Sequence, residues 1–425
     1  MTDPAYTRRG VLRAIGGGFA AGSLATVGSG TGAATPTADE PVTVNVGYRS
    51  GSGRNAALAR ASTVQYEFGF DALTVQLPES DIDALAARRD VRYVEENRAL
   101  DGGITPRIHP RQQVDGQRVP YGVSVTGADV ATEQGYTGSG ANVAVLDTGI
   151  DSTHPDLAAN LGRGAAFVPG ISDIEEFDFP VGQDDDLLVS HGTHVAGVVG
   201  GIDNDIGVVG VSPAATLHAV KVLVGVFGGG SVAGVAAGVE FVADRRWDVA
   251  NLSLGEAERS EVLADAVGDA HERGVLLVAA AGNDGVLESD PPASDGESTV
   301  SYPAAFEDVL AVGATDRNDD LAAFSSVGPE IDLVAPGTGV LSTALPINIY
   351  SNVEQPVHRY IRLSGTSFAA PHVAGAGALL MSDAGLSNVE ARERLRETAA
   401  DVGLPENEGG SGRLDVAAAL GVDTA

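Results

Sequence analysis

Three short segments carry residues that could do chemistry together: Asp147-Thr-Gly-Ile-Asp, His191-Gly-Thr-His-Val-Ala-Gly and Gly365-Thr-Ser-Phe-Ala-Ala-Pro-His-Val-Ala-Gly. A serine hydroxyl is a poor nucleophile until an imidazole takes its proton, and the imidazole needs a carboxylate to fix its tautomer. Asp147, His191 and Ser367 supply one group of each kind. The glycines around them let backbones approach closely, and a helix N-terminus favours negative charge developing nearby. Singly, each segment has another meaning. Asp-Thr-Gly also marks aspartic proteases, which need a second such element that the chain lacks. His191 and His194 are spaced like metal ligands, but no His-Glu-x-x-His occurs. Gly365-Thr-Ser-Phe-Ala lacks the closing glycine of a nucleophile elbow, and the order Asp, His, Ser is not that of α/β-hydrolases.

The elements that must hold these residues are short apolar runs alternating with helical stretches. Asn142-Val-Ala-Val-Leu, Thr216–Leu223, Val249–Leu254, Gly274–Ala281 and Val309–Ala314 read as strands, with helices over 192–201, 231–245 and 261–273. The alternation predicts an α/β domain over 117–425, with a mostly parallel, doubly wound sheet. Active sites of such sheets collect at the carboxyl ends of strands, where Asp147 falls. Ahead of it, residues 40–101 form a small α+β unit. Strands are expected at Val42–Gly47, Gly69–Leu77 and Val91–Asn97, and a helix over 80–89. Residues 102–116, polar and carrying Pro106, Pro110 and Gly116, read as a linker.

Charge separates the two parts. Residues 1–116 carry 13 acids and 12 bases, whereas 117–425 carry 45 acids and 14 bases, and Lys221 is the only lysine. So negative a surface argues against nucleic-acid binding and repels anionic membranes. Acid excess with almost no lysine predicts adaptation to high salt, where cations screen self-repulsion. The absence of cysteine excludes disulfides, thiol catalysis and thiolate zinc sites. Arg8-Arg9 followed by a weakly apolar stretch to about Val27 reads as a twin-arginine export signal over 1–36. No segment suggests a membrane anchor, so a secreted, soluble monomer is expected.

Taken together, the three segments resemble the subtilisin-like serine peptidases, the subtilase family, in a halolysin-like form. The resemblance covers nearly all of 117–425. It implies a serine endopeptidase with Asp147, His191 and Ser367 as the triad, acting on polypeptides, and gives His194 and His372 structural roles. It also implies that Asn283, in Ala279-Ala-Ala-Gly-Asn-Asp-Gly, donates to the tetrahedral oxyanion. A side-chain amide after a buried strand can do this without losing a proton. Extended substrate would pair with an enzyme strand, with Ser253, Leu254 and Gly255 lining the S1 pocket and Ser301 toward its floor. Pro303 would be cis.

The resemblance further implies a structural calcium ion, held by Gln117, Asp156 and Asn204 with the carbonyls of Ile202, Ile206 and Val208. Glu330 and Asp332 could contribute to a second cation site. Residues 40–101 resemble an inhibitory propeptide, which assists folding and occupies the active site until cut. Its near-neutral charge suits docking on an acidic enzyme. An acidic run over 171–186 is longer than short family members have, and reads as a solvated loop or a further cation site. The alternative weighed against the zymogen is a catalytically inactive binding protein, which would lack one of the four site residues.

Overall fold

The computed structural model describes residues 41–100, 107–109, 114–168, 190–224, 229–285, 298–345 and 359–423. The export-signal segment and the acidic run lie outside them. The chain divides into two compact units. One comprises residues up to Arg98 with Ser260–Val262, and the other Ala99–Arg259 with Leu263–Ala425.

In the first unit β1 (Pro41–Tyr48), α1 (Gly51–Leu58), β2 (Thr63–Phe68), β3 (Ala72–Pro78), α2 (Ile82–Ala86) and β4 (Val91–Glu96) follow in order. The strands form an antiparallel sheet ordered β2-β3-β1-β4. It is the expected α+β unit, with two additions. The sequence reading missed α1 and β2, and the helix expected over 80–89 is a 3-10 turn at Glu79–Asp81 followed by the five residues of α2. Val44, Val46, Leu73, Val75, Leu77 and Leu85 make a small apolar core.

The second unit is built on a seven-stranded sheet. Its strands are β5 (Asn142–Asp147), β6 (Ala165–Ala166), β7 (Thr216–Lys221), β8 (Val249–Leu252), β9 (Leu276–Ala280), β10 (Val309–Thr315) and β11 (Ile331–Pro336), ordered β11-β10-β9-β8-β5-β7-β6. Every pairing is parallel. Strand order reverses beside β5, the kind of switch point at whose carboxyl end sites of such sheets collect. The strands are continuous Val, Leu and Ala runs because helices cover both faces, and almost every strand residue is buried. The main helices are α3 (His191–Gly200), α4 (Val232–Arg245), α5 (Glu261–Glu272), α6 (Thr366–Ser382) and α7 (Asn388–Glu397). Helix α6 packs against α3 and β9, and Thr366 to Leu380 are all buried.

The linker reading of 102–116 is corrected in part. Arg107–Ile108 pairs antiparallel with Leu363–Ser364 and extends the two-stranded ribbon Val340–Thr343 with Tyr360–Ser364. Among the described residues, no helix is long and apolar enough to cross a membrane.

Candidate active site

Asp147 is the last residue of β5, and His191 the first of α3. Both carboxylate oxygens of Asp147 lie 2.9 Å from Nδ1 of His191, and both residues are fully buried. The close approach of helix to strand end depends on Gly192, where a Cβ would lie 2.1 Å from the Gly149 carbonyl oxygen. Donation from Nδ1 to the carboxylate fixes the tautomer and leaves Nε2, which has no hydrogen-bond partner, as the acceptor. Thr148 ties the pair together. Its backbone N–H donates to Asp147 Oδ1 at 2.7 Å, and its Oγ1 accepts the Gly192 N–H at 3.1 Å.

Ser367 is the second residue of α6, so its N–H belongs to the first turn, where helical donors have no intrahelical partner. Its hydroxyl is turned toward the Ser253 carbonyl at 3.4 Å, rather than toward His191. Hydrogen bonds between reacting groups are often long or poorly aligned before substrate binds. The segment after β8 is locked to the helix start, since Ser253 Oγ donates to the Ser367 carbonyl at 2.7 Å and accepts from Asn251 Nδ2 at 2.9 Å.

Asn283 follows β9, and its Oδ1 accepts from Thr366 N at 2.9 Å and from Thr366 Oγ1 at 3.1 Å. With the amide oxygen held, Nδ2 remains to donate beside the residue preceding Ser367. Of the residues expected at S1, Gly255 lies against Ser301. A Cβ on Gly255 would lie 2.6 Å from Ser301 Oγ, and one on Gly282 3.0 Å from the same atom. Ser301 donates both its N–H, at 2.9 Å, and its Oγ–H, at 3.2 Å, to the Ala281 carbonyl. Leu254, between Ser253 and Gly255 in sequence, is buried, and the Tyr302–Pro303 bond is cis, as expected.

His194 bonds the Val340 carbonyl through Nε2 at 3.0 Å, and His372 the Phe368 carbonyl through Nδ1 at 2.9 Å. Burial lowers their pKa values to about 3 and about 4, which suits the structural roles expected of them.

Gln117, Asp156 and Asn204 are joined by hydrogen bonds in and around the 202–208 loop. Gln117 is the register partner of Gly207, and its side chain donates to the Ile202 carbonyl at 3.1 Å. Asp156 Oδ2 accepts from Val208 N at 2.8 Å, while Oδ1 is buried without a partner, and desolvation raises this carboxyl above its ordinary value. Asn204 reaches the Pro155 carbonyl at 3.3 Å and accepts from Ile206 N at 3.2 Å. Asp332, in contrast, is no candidate for the second cation. Its buried carboxylate accepts from Arg392 at 3.1 Å, lies 3.3 Å from Arg396 Nε and takes the Ala311 N–H at 2.9 Å, so guanidinium groups already neutralise it.

Sequence reasoning passed over Thr148, Asn251 and Thr366, which tie the site segments together, because small polar residues leave no motif signal. Lys221, also at the site, stood out as the only lysine, but its place was not legible.

Residues 138–414 match the model of the Subtilase family. The chain belongs to that family. It is a serine endopeptidase of the subtilisin type, similar to an alkaline protease of Shouchella clausii (43% identical, covering 82% of this chain and 78% of that one). It is also similar to Subtilisin Savinase of Lederbergia lenta, at 46% identity over 71% of this chain and 99% of the relative. Alkaline elastase YaB of Bacillus sp. (strain YaB) is 38% identical over 83% and 81%.

Proposed function

We propose that Ser367, His191, Asp147 and Asn283 carry the endopeptidase reaction. The observation behind this reading is the pairing of His191 Nδ1 with both Asp147 oxygens, which makes Nε2 a base. Ser367 Oγ attacks the scissile carbonyl as its proton passes to Nε2. Asp147 stabilises the imidazolium without taking the proton. Asn283 Nδ2 donates to the oxyanion, His191 returns the proton to the leaving amine, and water then hydrolyses the acyl-enzyme by the same route reversed. Ser253, Leu254, Gly255 and Ser301 would line the S1 pocket. A fluorophosphonate should label the matured protein at Ser367, and Ser367→Ala and His191→Ala should both prevent labelling. Labelling of another serine would overturn the assignment.

The chain is further proposed to be a secreted zymogen. Support comes from Ala99–Leu100, which pair antiparallel with Gly229–Ser231 as an added strand, the mode expected of bound peptide. Leu100 is buried there. In this reading residues 40–101 act as inhibitor and folding aid, and removal of that segment opens the site. Intact mass and N-terminal sequencing of the product test it. A Ser367→Ala chain should stay uncut, and cutting of that variant in the absence of other protease would remove self-processing.

Gln117, Asp156 and Asn204, with the carbonyls of Ile202, Ile206 and Val208, would hold calcium. The unpartnered, buried Oδ1 of Asp156 is the kind of atom a cation relieves. Export by the twin-arginine segment and function in high salt, inferred from the acid excess, complete the proposal.

A further inference from the structure

Lys221 is the single lysine among 26 cationic side chains, the other 25 being arginine. It stands at a buried position, with 5% of the residue exposed. Lys221 ends β7 between two parallel neighbours, in register with Asp147 on one side and Ala166 on the other. Paired residues of adjacent strands place their side chains on one face about 4.8 Å apart, so the ammonium sits on the face that carries the Asp147 carboxylate. Its Nζ donates to the Thr148 carbonyl. Thr148 in turn donates its N–H to Asp147 Oδ1 and receives the Gly192 N–H from the helix that begins with His191.

We propose that Lys221 is a positioning residue. It clamps Thr148, and Thr148 holds the Asp147 carboxylate and the first turn of the His191 helix in one geometry. An ammonium brings three donors on a flexible stem, whereas a planar guanidinium brings five in a fixed fork, more than a buried strand end readily satisfies. That difference accounts for lysine at this one place in an arginine-using chain. The proposal rests on the assignment of Asp147 and His191 made above.

The chain's lack of cysteine permits a direct test. Lys221→Met, Lys221→Arg and Lys221→Cys are made in the full chain, and kcat and KM of each matured product are measured on a chromogenic peptide. His191→Ala is assayed alongside. Lys221→Met should lower kcat by about 10–100-fold, the scale of a small misplacement of a reacting group, with KM little changed. Lys221→Arg should not restore kcat. The Lys221→Cys full chain, unfolded before processing, treated with 2-bromoethylamine and refolded with residues 40–101 attached, regains an ammonium at nearly the same length, and its matured product should recover most of the lost kcat. Wild type taken through the same cycle should be unchanged. Wild-type kcat in Lys221→Met, full rescue by arginine, or aminoethylated protein that refolds but stays slow would each overturn the proposal. Activity retained by His191→Ala would instead overturn the site assignment on which it stands.

Discussion

Asn283 Oδ1 accepts the backbone N–H of Thr366 at 2.9 Å, so the amide that would face the oxyanion is fixed from the residue that precedes Ser367. Asn283→Leu should therefore reduce kcat by about 10²–10³ with little effect on KM, a loss already established for the oxyanion donor in a subtilisin. Thr366→Ala keeps the N–H and removes the hydroxyl, with its 3.1 Å contact to Asn283 and its bonds to the Gly282 backbone, so its effect should be smaller, no more than about tenfold. Steady-state kinetics on one peptide, with both variants side by side, checks the order.

Four buried histidines set the acid limit. His154, His194, His218 and His372 are lowered to about 4, 3, 4 and 4, in each case chiefly by desolvation. Above the unfolded value, about 6.5, neither state binds the protons. Between there and about pH 4 the unfolded chain takes them up and the folded chain does not, so stability falls as pH falls. Urea midpoints at fixed high salt should decline steeply from pH 6.5 to 4. Replacing His218, which stacks on Trp247 with 3.8 Å between ring centroids, with glutamine should flatten that slope by up to one proton.

Calcium should stabilise the folded protein by an amount that grows with its concentration, about 2.7 kcal/mol at one hundred times Kd. Because burial raises the Asp156 carboxyl and the ion needs it ionised, affinity should weaken as pH drops. Asp156→Asn should remove most of the calcium-dependent rise in Tm. A Tm insensitive to chelator in the parent protein would speak against the site.

Gly255 and Ser301 meet at the proposed S1 pocket. Gly255→Ala places a methyl 2.6 Å from Ser301 Oγ and should penalise substrates with a large P1 side chain relative to alanine at P1. The expected change in the kcat/KM ratio is about 10–200-fold. Adding Ser301→Gly should recover part of the ratio, since it removes the clashing hydroxyl.

The sequence made the site legible wherever local motifs and element patterns coincide. Asp147 lies at the end of an apolar run, His191 and Ser367 at glycine-flanked helix starts, and all three stand where the motifs placed them. Gly255 lies beside Ser301, and Gln117 and Asp156 bond to the 202–208 loop. What was hidden depends on long-range pairing. Asp332 reads as a free carboxylate until Arg392, 60 residues on, folds beside it. Arg107–Ile108 has the composition of a linker and becomes a strand only because Leu363–Ser364 presents an edge. The ribbon Val340–Thr343 with Tyr360–Ser364 was missed for the same reason. The Ser367 hydroxyl direction is a rotamer choice that no residue pattern encodes.

The strand that carries Asp147 lies inside the sheet, flanked by strands that come later in the chain. Ser253 must find Ser367 across 114 residues, and Leu345 must find Ser190 across 155. Contacts of such separation demand loop-closure entropy before they return any stability, so folding is expected to be slow. The same architecture makes unfolding hard to begin piecemeal, because the site helices are buried and bonded at both ends of long loops. A protein-cutting enzyme is continually exposed to copies of itself. For it the height of the unfolding barrier, more than the depth of the folded well, decides how long each molecule lasts.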